Sequence, residues 1–310
     1  MAKPALHSST PYIGRFAPSP SGPLHFGSLL AALASYLDAR QAHGQWLVRM
    51  EDLDPPREQP GAADSILRAL EAHGLHWDGA VIYQSERHQA YQDALAQLAA
   101  AELIYPCSCS RQRLQLSGGI YDGHCRHQPP GATAATALRV KVSGVASGTA
   151  LGTGRIAFTD RYQGAQQESL ADQVGDFILR RKDGLFAYQL AVVVDDIHQS
   201  VSHILRGSDL LNSTPRQLWL YQLLGAQAPD YAHIPVALNS DGQKLSKQNL
   251  APSLAAQTPA HNLWQALAFL NQSPPEPLRS AEVGELLDWA IAHWQPQAVP
   301  QVRGIDAPLP

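Results

Sequence analysis

No stretch of the 310-residue sequence approaches the ~20 consecutive apolar residues needed to cross a bilayer. The N-terminal residues, Met1 to Pro11, also lack the apolar core of a secretory signal, so the chain is expected in the cytoplasm, with no membrane association and no obligate protein partner. Only three cysteines are present, and in that compartment they are expected to be reduced thiols. Charge is sparse too: 16% of residues are Asp, Glu, Lys or Arg, and a net charge of -4 argues against indiscriminate binding to nucleic acid, which draws on phosphate neutralisation. A local basic face such as Arg111, Arg113, Arg126, Arg139 and Lys141 is still compatible with that balance. There is no internal repeat. What remains is a 45% hydrophobic chain of ordinary globular composition, long enough for one large domain with an insertion or for two smaller ones.

Along the chain, Tyr12 to Phe16 reads as a strand, followed by a Pro- and Gly-rich turn and a helix with Leu29, Leu30, Leu33, Tyr36 and Leu37 at helical spacing before Gly44. Trp46 to Met50 reads as a second strand, which completes a βαβ unit and favours a parallel sheet covered by helices. Helices are expected from about Ala62 to His73 and from Glu86 to Glu102. From Tyr105 to about Arg161 the composition turns to Cys, Gly, Pro and Thr with short β-like pieces such as Ala137 to Val142, the signature of an inserted subdomain. Beyond it, Leu190 to Val194 and Ile204-Leu205 read as strands, Thr214 to Leu224 as a helix and Ile234 to Leu238 as a strand. Asn239-Ser240-Asp241-Gly242 is a turn, helices are expected around Asn262 to Leu270 and Ala281 to His293, and the Pro-rich tail reads as disordered.

Two separated loops carry chemistry. The first, Pro18 to Ser28, ends in His25-Phe26-Gly27-Ser28 at the mouth of the first helix, where a His donor, the helix's positive end and a close-packed Gly suit a nucleotide phosphate. The second, Lys244-Leu245-Ser246-Lys247-Gln248, places a point charge from Lys247, and a second from Lys244, where phosphates would lie. Either loop alone is weak evidence, a short tetrapeptide or a solvated basic turn. Together, each at the edge of a βαβ half, they suit ATP-dependent activation of a carboxylate, where positioning and charge stabilisation do most of the catalysis.

Five ordered motifs extend this pattern: Arg15-Phe16-Ala17-Pro18-Ser19-Pro20-Ser21-Gly22 with the His25 loop, Arg49-Met50-Glu51-Asp52-Leu53-Asp54, Val193-Val194-Asp195-Asp196, Leu205-Arg206-Gly207 and the lysine loop. From about residue 12 to 250 the chain resembles a class I glutamyl-tRNA synthetase. It departs from the class pattern at Ser28, where a second His is usual, and at Leu245 and Gln248, where Met and Ser are usual; both departures are common in the glutamate branch. The resemblance implies an α/β, Rossmann-type catalytic fold with a parallel sheet. Residues 11–104 would form its first half, 105–187 an inserted zinc-bearing subdomain, 188–250 its second half with the lysine loop, and 251–310 a short C-terminal helical region without an anticodon-binding domain.

A dicarboxylic amino acid needs two cationic clamps and one anion for its ammonium. By resemblance Arg15, Phe16, Ala17, Pro18, Ser19, Glu51, Tyr188 and Arg206 would line the glutamate pocket. Glu51 would take the ammonium, the two arginines the two carboxylates in an order left open, and Tyr188 would add a hydroxyl. His25, Gly27, Ser28, Lys244 and Lys247 would bind ATP with Mg2+, His25 and Lys247 being the catalytic pair. Without the motif order, Glu51 would read as a solvated loop carboxylate, Arg206 as a surface ion pair, and Asp195 and Asp196 as hydrogen-bonding groups closing a buried strand.

Cys107, Cys109 and Cys125 lie close together inside the inserted segment, a clustering that points to a metal, with zinc favoured. Three thiolates need a fourth ligand. His124 and His127 are the chemical candidates, while the resemblance implies Tyr121, with His124 as the runner-up. Such a zinc ion would be structural.

The 62 residues that follow Gln248 leave no room for the large helical anticodon-binding region of a glutamyl-tRNA synthetase of standard length. In this respect the chain resembles the truncated glutamyl-queuosine tRNA(Asp) synthetase branch. That branch activates L-glutamate with ATP without needing tRNA, and transfers it to the queuosine base in the anticodon loop of tRNA(Asp). The alternatives are a minimal synthetase charging a tRNA 3' end, a non-catalytic RNA-binding paralogue, and an adenylate-forming ligase with a small-molecule acceptor.

Overall fold

The computed structural model describes residues 11–116, 118–146, 149–150, 154–239, 241–245, 254 and 258–307. Strand β1 (Ile13–Phe16) runs through the Pro-rich turn into helix α1 (Phe26–Gln41), and β2 (Gln45–Met50) returns parallel to β1 with Ile13 opposite Gln45. His25 caps α1, its side chain accepting from Ser28 N, and the Ala- and Leu-rich body favours helix. Gly44 lies between α1 and β2, where a side chain would collide with the Tyr12 carbonyl. Helix α2 (Ala62–Ala72) leads to β3 (Ile82–Tyr83), parallel to β2, and then to α3 (His88–Ala100).

The inserted segment follows: β4 (Ile104–Cys107), α4 (Arg111–Leu116), α5 (His124–His127), β5 (Ala137–Val140), β6 (Val145–Ala146), β7 (Thr149–Ala150), β8 (Arg155–Asp160), β9 (Gly164–Ser169), α6 (Leu170–Gln173) and β10 (Phe177–Arg180). Here pairing is antiparallel, in the order β10-β5-β4, with β8 and β9 forming a hairpin. The chain then re-enters the parallel part through α7 (Tyr188–His198), β11 (His203–Gly207), α8 (Thr214–Leu223), β12 (Asp230–Ile234) and β13 (Val236–Leu238). Helices α9 (Pro259–Phe269) and α10 (Val283–His293) and strand β14 (Gly304–Asp306) complete it.

β11 pairs parallel with β12 and lies alongside β1, where Ser202 N donates to Ile13 O at 2.9 Å. Strand order therefore runs outward in two directions from β1 and β11, from β1 to β2 to β3 on one side and from β11 to β12 on the other. The carboxyl ends flanking such a switch point form a crevice, the usual ligand position in open α/β sheets. One core packs α1 between the sheet and helices α9 and α10, through Leu33, Leu37, Trp46, Leu263 and Leu286, all fully buried. A second joins α3, α7 and α8 to the inserted sheet through Tyr91, Leu190, Val193 and Val140.

Three expectations are corrected. Leu190 to Val194 is not a strand but the body of α7, so Asp195 and Asp196 lie on a helix. Burial on several sides, against α3, α8 and β10, overrides the β preference of three consecutive valines. The segment Ile234 to Leu238 is broken at Pro235 into β12 and β13. The described part of the tail is ordered: β14 pairs parallel with β13, and Val299 is buried. No helix among the described residues is long and apolar enough to cross a membrane.

Three of the residues that could form a local basic face are engaged within the fold. Arg139 is buried and donates to Cys107 Sγ at 3.2 Å, Arg126 is paired with Asp176, and Arg113 with Asp122 at 2.5 Å.

Candidate active site

A cleft of about 610 Å³ opens at the carboxyl ends of β1, β2 and β11. It collects residues from distant parts of the chain: Arg15 and Phe16 from β1, Ala17, Pro18 and Ser19 from the turn, and His25, Gly27 and Ser28 from the start of α1. Glu51 follows β2, Tyr188 opens α7, Arg206 ends β11, and Lys244 lies beyond β13. Lys247, with Ser246 and Gln248, lies outside the described residues.

The two arginines differ in their surroundings. Arg15, 3% exposed, donates its Nε to Asp196 Oδ1 at 3.3 Å, and Arg49 donates to the same oxygen at 2.6 Å. Burial alone would push the Asp196 carboxyl up, but Arg49 and Arg15 outweigh it and hold it below the usual range. Arg206, 4% exposed, donates Nε to His233 Nε2 at 2.9 Å, Nη2 to Thr214 Oγ1 at 2.9 Å, and Nη1 to Tyr188 OH at 3.4 Å. It is thus a buried group, not a surface ion pair.

Glu51 is held in place by its backbone, whose N–H donates to Pro18 O at 2.9 Å, and its side chain is 11% exposed. Burial raises its carboxyl to about 7, against the pull of Arg49, 3.9 Å away, and of Arg15. A carboxylate in that state gains a partner when a cation arrives.

At the start of α1, Ser28 N donates to His25 Nδ1 at 3.3 Å and the Ser28 hydroxyl meets Nε2 at 3.1 Å, so the ring folds over the helix N-terminus. Gly27 is closely packed: a Cβ there would lie 3.2 Å from the His25 ring, which would have to give by a few tenths of an ångström, and 3.4 Å from Leu245 O. Lys244 Nζ is 2.6 Å from Asp209 Oδ2. The cleft therefore brings together His25 and Lys244 from the two loops with Arg15, Arg206 and the carboxylate of Glu51.

The partners of several buried side chains are not visible in the sequence. Asp196 anchors two arginines from strands far earlier in the chain. His233 and Asp160 stand behind Arg206, and a histidine inside the otherwise apolar run Tyr231 to Ile234 is the one hint of this. Asp195 is fully buried and accepts from Gln84 at 2.8 Å, Arg87 at 2.9 Å and Tyr91 at 2.7 Å, tying α7 to α3.

In the inserted segment the Sγ atoms of Cys107, Cys109 and Cys125 lie within 4.8 Å of one another. Burial raises the Cys125 thiol, but hydrogen bonds from the Ser108 backbone, Tyr121 and the neighbouring thiols bring it down to about 7. Tyr121 OH sits 3.4 Å from Cys107 Sγ and 3.9 Å from Cys109 Sγ, and its ring faces Arg139 at 3.9 Å. Three convergent sulfurs with a guanidinium behind one of them are chemically suited to a metal such as zinc.

Residues 13–262 match the family of class I tRNA synthetases (E and Q), catalytic domain. The glutamyl-Q tRNA(Asp) synthetase of Cronobacter sakazakii is 55% identical over 293 residues, covering 94% of this chain and 95% of that one. Its counterpart from Escherichia coli O157:H7 is 53% identical over 299 residues, 95% of this chain and 92% of the relative. The chain therefore belongs to the class I glutamyl- and glutaminyl-tRNA synthetase family, within the group of glutamyl-Q tRNA(Asp) synthetases. A glutamate tRNA ligase from Elizabethkingia meningosepticum, solved with its amino acid, shares the fold at a TM-score of 0.79 and 24% identity, covering 96% of this chain and 67% of its own.

Proposed function

We propose that the protein activates L-glutamate with ATP and Mg2+, without tRNA, and transfers it to the queuosine base in the anticodon loop of tRNA(Asp) in the cytoplasm. The observation that carries the first step is the convergence of Arg15, Glu51, Tyr188 and Arg206 with His25 in one cleft. The acceptor is inferred from the relatives, which match along nearly their whole length.

Glutamate docks with its ammonium on Glu51, its two carboxylates on Arg15 and Arg206, and the Tyr188 hydroxyl beside them; Phe16, Ala17, Pro18 and Ser19 form the floor. An α-carboxylate oxygen attacks the α-phosphorus of ATP, forming the glutamyl-adenylate and expelling pyrophosphate. His25, Gly27, Ser28, Lys244 and Lys247 hold the phosphates, with His25 and Lys247 facing the charge that develops. A hydroxyl of the queuosine cyclopentene ring then attacks the activated carbonyl, and AMP leaves. No protein nucleophile takes part.

Tyr121 completes a structural zinc site with Cys107, Cys109 and Cys125; its hydroxyl already lies against two of the sulfurs, which favours it over His124. The catalytic fold is divided into residues 11–104 and 188–250, with 105–187 as the zinc-bearing insertion and 251–310 as the C-terminal region.

Pyrophosphate exchange with glutamate, in the absence of tRNA, tests activation. Labelled glutamate should then attach to tRNA(Asp) from queuosine-containing cells and not from queuosine-deficient ones. Attachment to tRNA(Glu) would overturn the acceptor, and absence of exchange the enzyme.

A further inference from the structure

Arg206 is held entirely by neutral partners. Its Nε meets His233 Nε2, its Nη2 meets Thr214 Oγ1 at 2.9 Å and Leu210 O at 3.4 Å, and its Nη1 points to Tyr188 OH. Among the described residues no carboxylate lies within ion-pair distance of it, whereas the other buried arginines of the site, Arg15 and Arg49, share Asp196. A guanidinium has donors only, so His233 Nε2 must accept, and the ring proton sits on Nδ1. From there it donates to Asp160 Oδ2 at 2.5 Å. Asp160 is itself fixed: its Oδ1 accepts from the backbone N–H groups of Tyr162 at 3.0 Å, Gln163 at 2.9 Å and His233 at 3.1 Å. Both side chains are fully buried.

We propose that His233, oriented by Asp160, is a positioning residue that fixes the Arg206 guanidinium plane while leaving its charge for a substrate carboxylate. The inference rests on the reading of Arg206 as a glutamate ligand. A carboxylate in the place of His233 would hold the guanidinium as firmly but would cancel its charge, whereas Asp196, shared between Arg15 and Arg49, offsets only one of their two charges. The imidazole takes one N–H and supplies no negative charge. Burial and the Arg206 charge push His233 down to about 4, against the pull of Asp160, so the ring is neutral when the enzyme works. Asp160 closes β8, so the inserted segment reaches the amino-acid pocket through this pair.

Two near-isosteric substitutions separate the ring's two nitrogens. His233→Asn keeps a donor near the Nδ1 position but loses the acceptor for Arg206, whereas His233→Gln can place an amide oxygen where Nε2 stood. In pyrophosphate exchange, His233→Asn is expected to raise KM for glutamate about tenfold or more with KM for ATP nearly unchanged, and His233→Gln to recover most of that loss. Asp160→Asn gives a second arm, because an amide donor facing Nδ1 imposes the other tautomer and turns Nε2–H against Arg206. It is expected to show the same selective rise. An unchanged glutamate KM in the folded variants, equal rises for glutamate and ATP, or no advantage of Gln over Asn would overturn the proposal. Failure of the wild type to exchange with glutamate would instead defeat the reading of the pocket.

Discussion

Asp196 Oδ1 accepts from both Arg15 and Arg49, at 3.3 and 2.6 Å, so a single oxygen on α7 joins the first two strands of the sheet. All three side chains are almost wholly shielded from water, with 4%, 0% and 1% of their surfaces exposed for Arg15, Arg49 and Asp196. Removing the shared anion leaves two buried cations repelling one another. Asp196→Ala is therefore expected to cost about 3–5 kcal/mol in denaturant unfolding. A loss below about 1 kcal/mol would show that the arginines find other partners.

Glu51 is expected to behave oppositely. Its carboxyl titrates near 7 in the folded chain against an ordinary value of 4.5. Between those values the folded state holds more protons than the unfolded one, so this group's contribution to stability declines as pH rises from about 4.5 to 7. Glu51→Gln removes that cost. The variant should melt higher than wild type at pH 8, by about 2 °C per kcal/mol recovered, match it more closely near pH 5, and lose glutamate-dependent exchange. Equal melting at both pH values would refute the charge-based account.

The metal site is tested by composition. Purified protein should contain zinc near one per chain, and Cys107→Ser should lose it together with thermal stability of the inserted segment. Tyr121→Phe should weaken zinc retention against a chelator by about tenfold or more, whereas His124→Ala should not. The reverse result would reassign the fourth ligand.

Gly27→Ala probes the proposed phosphate site. The new Cβ would lie 3.2 Å from the His25 ring, close enough to shift it by a few tenths of an ångström, and in ordinary contact with Leu245 O at 3.4 Å. KM for ATP should rise about tenfold, while glutamate binding measured by calorimetry without ATP stays near wild type. A parallel loss of both would point to a general collapse of the cleft.

How much of this was legible in the sequence depends on distance along the chain. The βαβ entry is local: His25 caps, Leu and Ala repeat at helical spacing, Gly44 stops, and β1, α1 and β2 follow. The cleft residues Arg15, Glu51 and Arg206 were readable as a set because they fall inside ordered motifs. The α7 segment reads as a strand in isolation because three valines favour strand, and only burial against neighbouring helices reverses that preference. The prolines of the tail favour disorder, yet Gly304 to Asp306 pair with β13. Ser202, Asp196, His233 and Asp160 act through partners far away in sequence, and no window could pair them.

The shared oxygen of Asp196 also has a consequence for biogenesis. Arg15 waits for a partner 181 residues downstream, and Arg49 for the same one 147 residues on. During synthesis the first βαβ unit emerges with two cations destined for burial and only Glu51, 3.9 Å from Arg49, as a nearby anion, so their full pairing waits until α7 has left the ribosome. Such long-range closure slows folding and leaves apolar surface open in the interval. The nascent amino-terminal half is therefore a natural client for chaperones, and a fragment ending before α7 should be recovered aggregated.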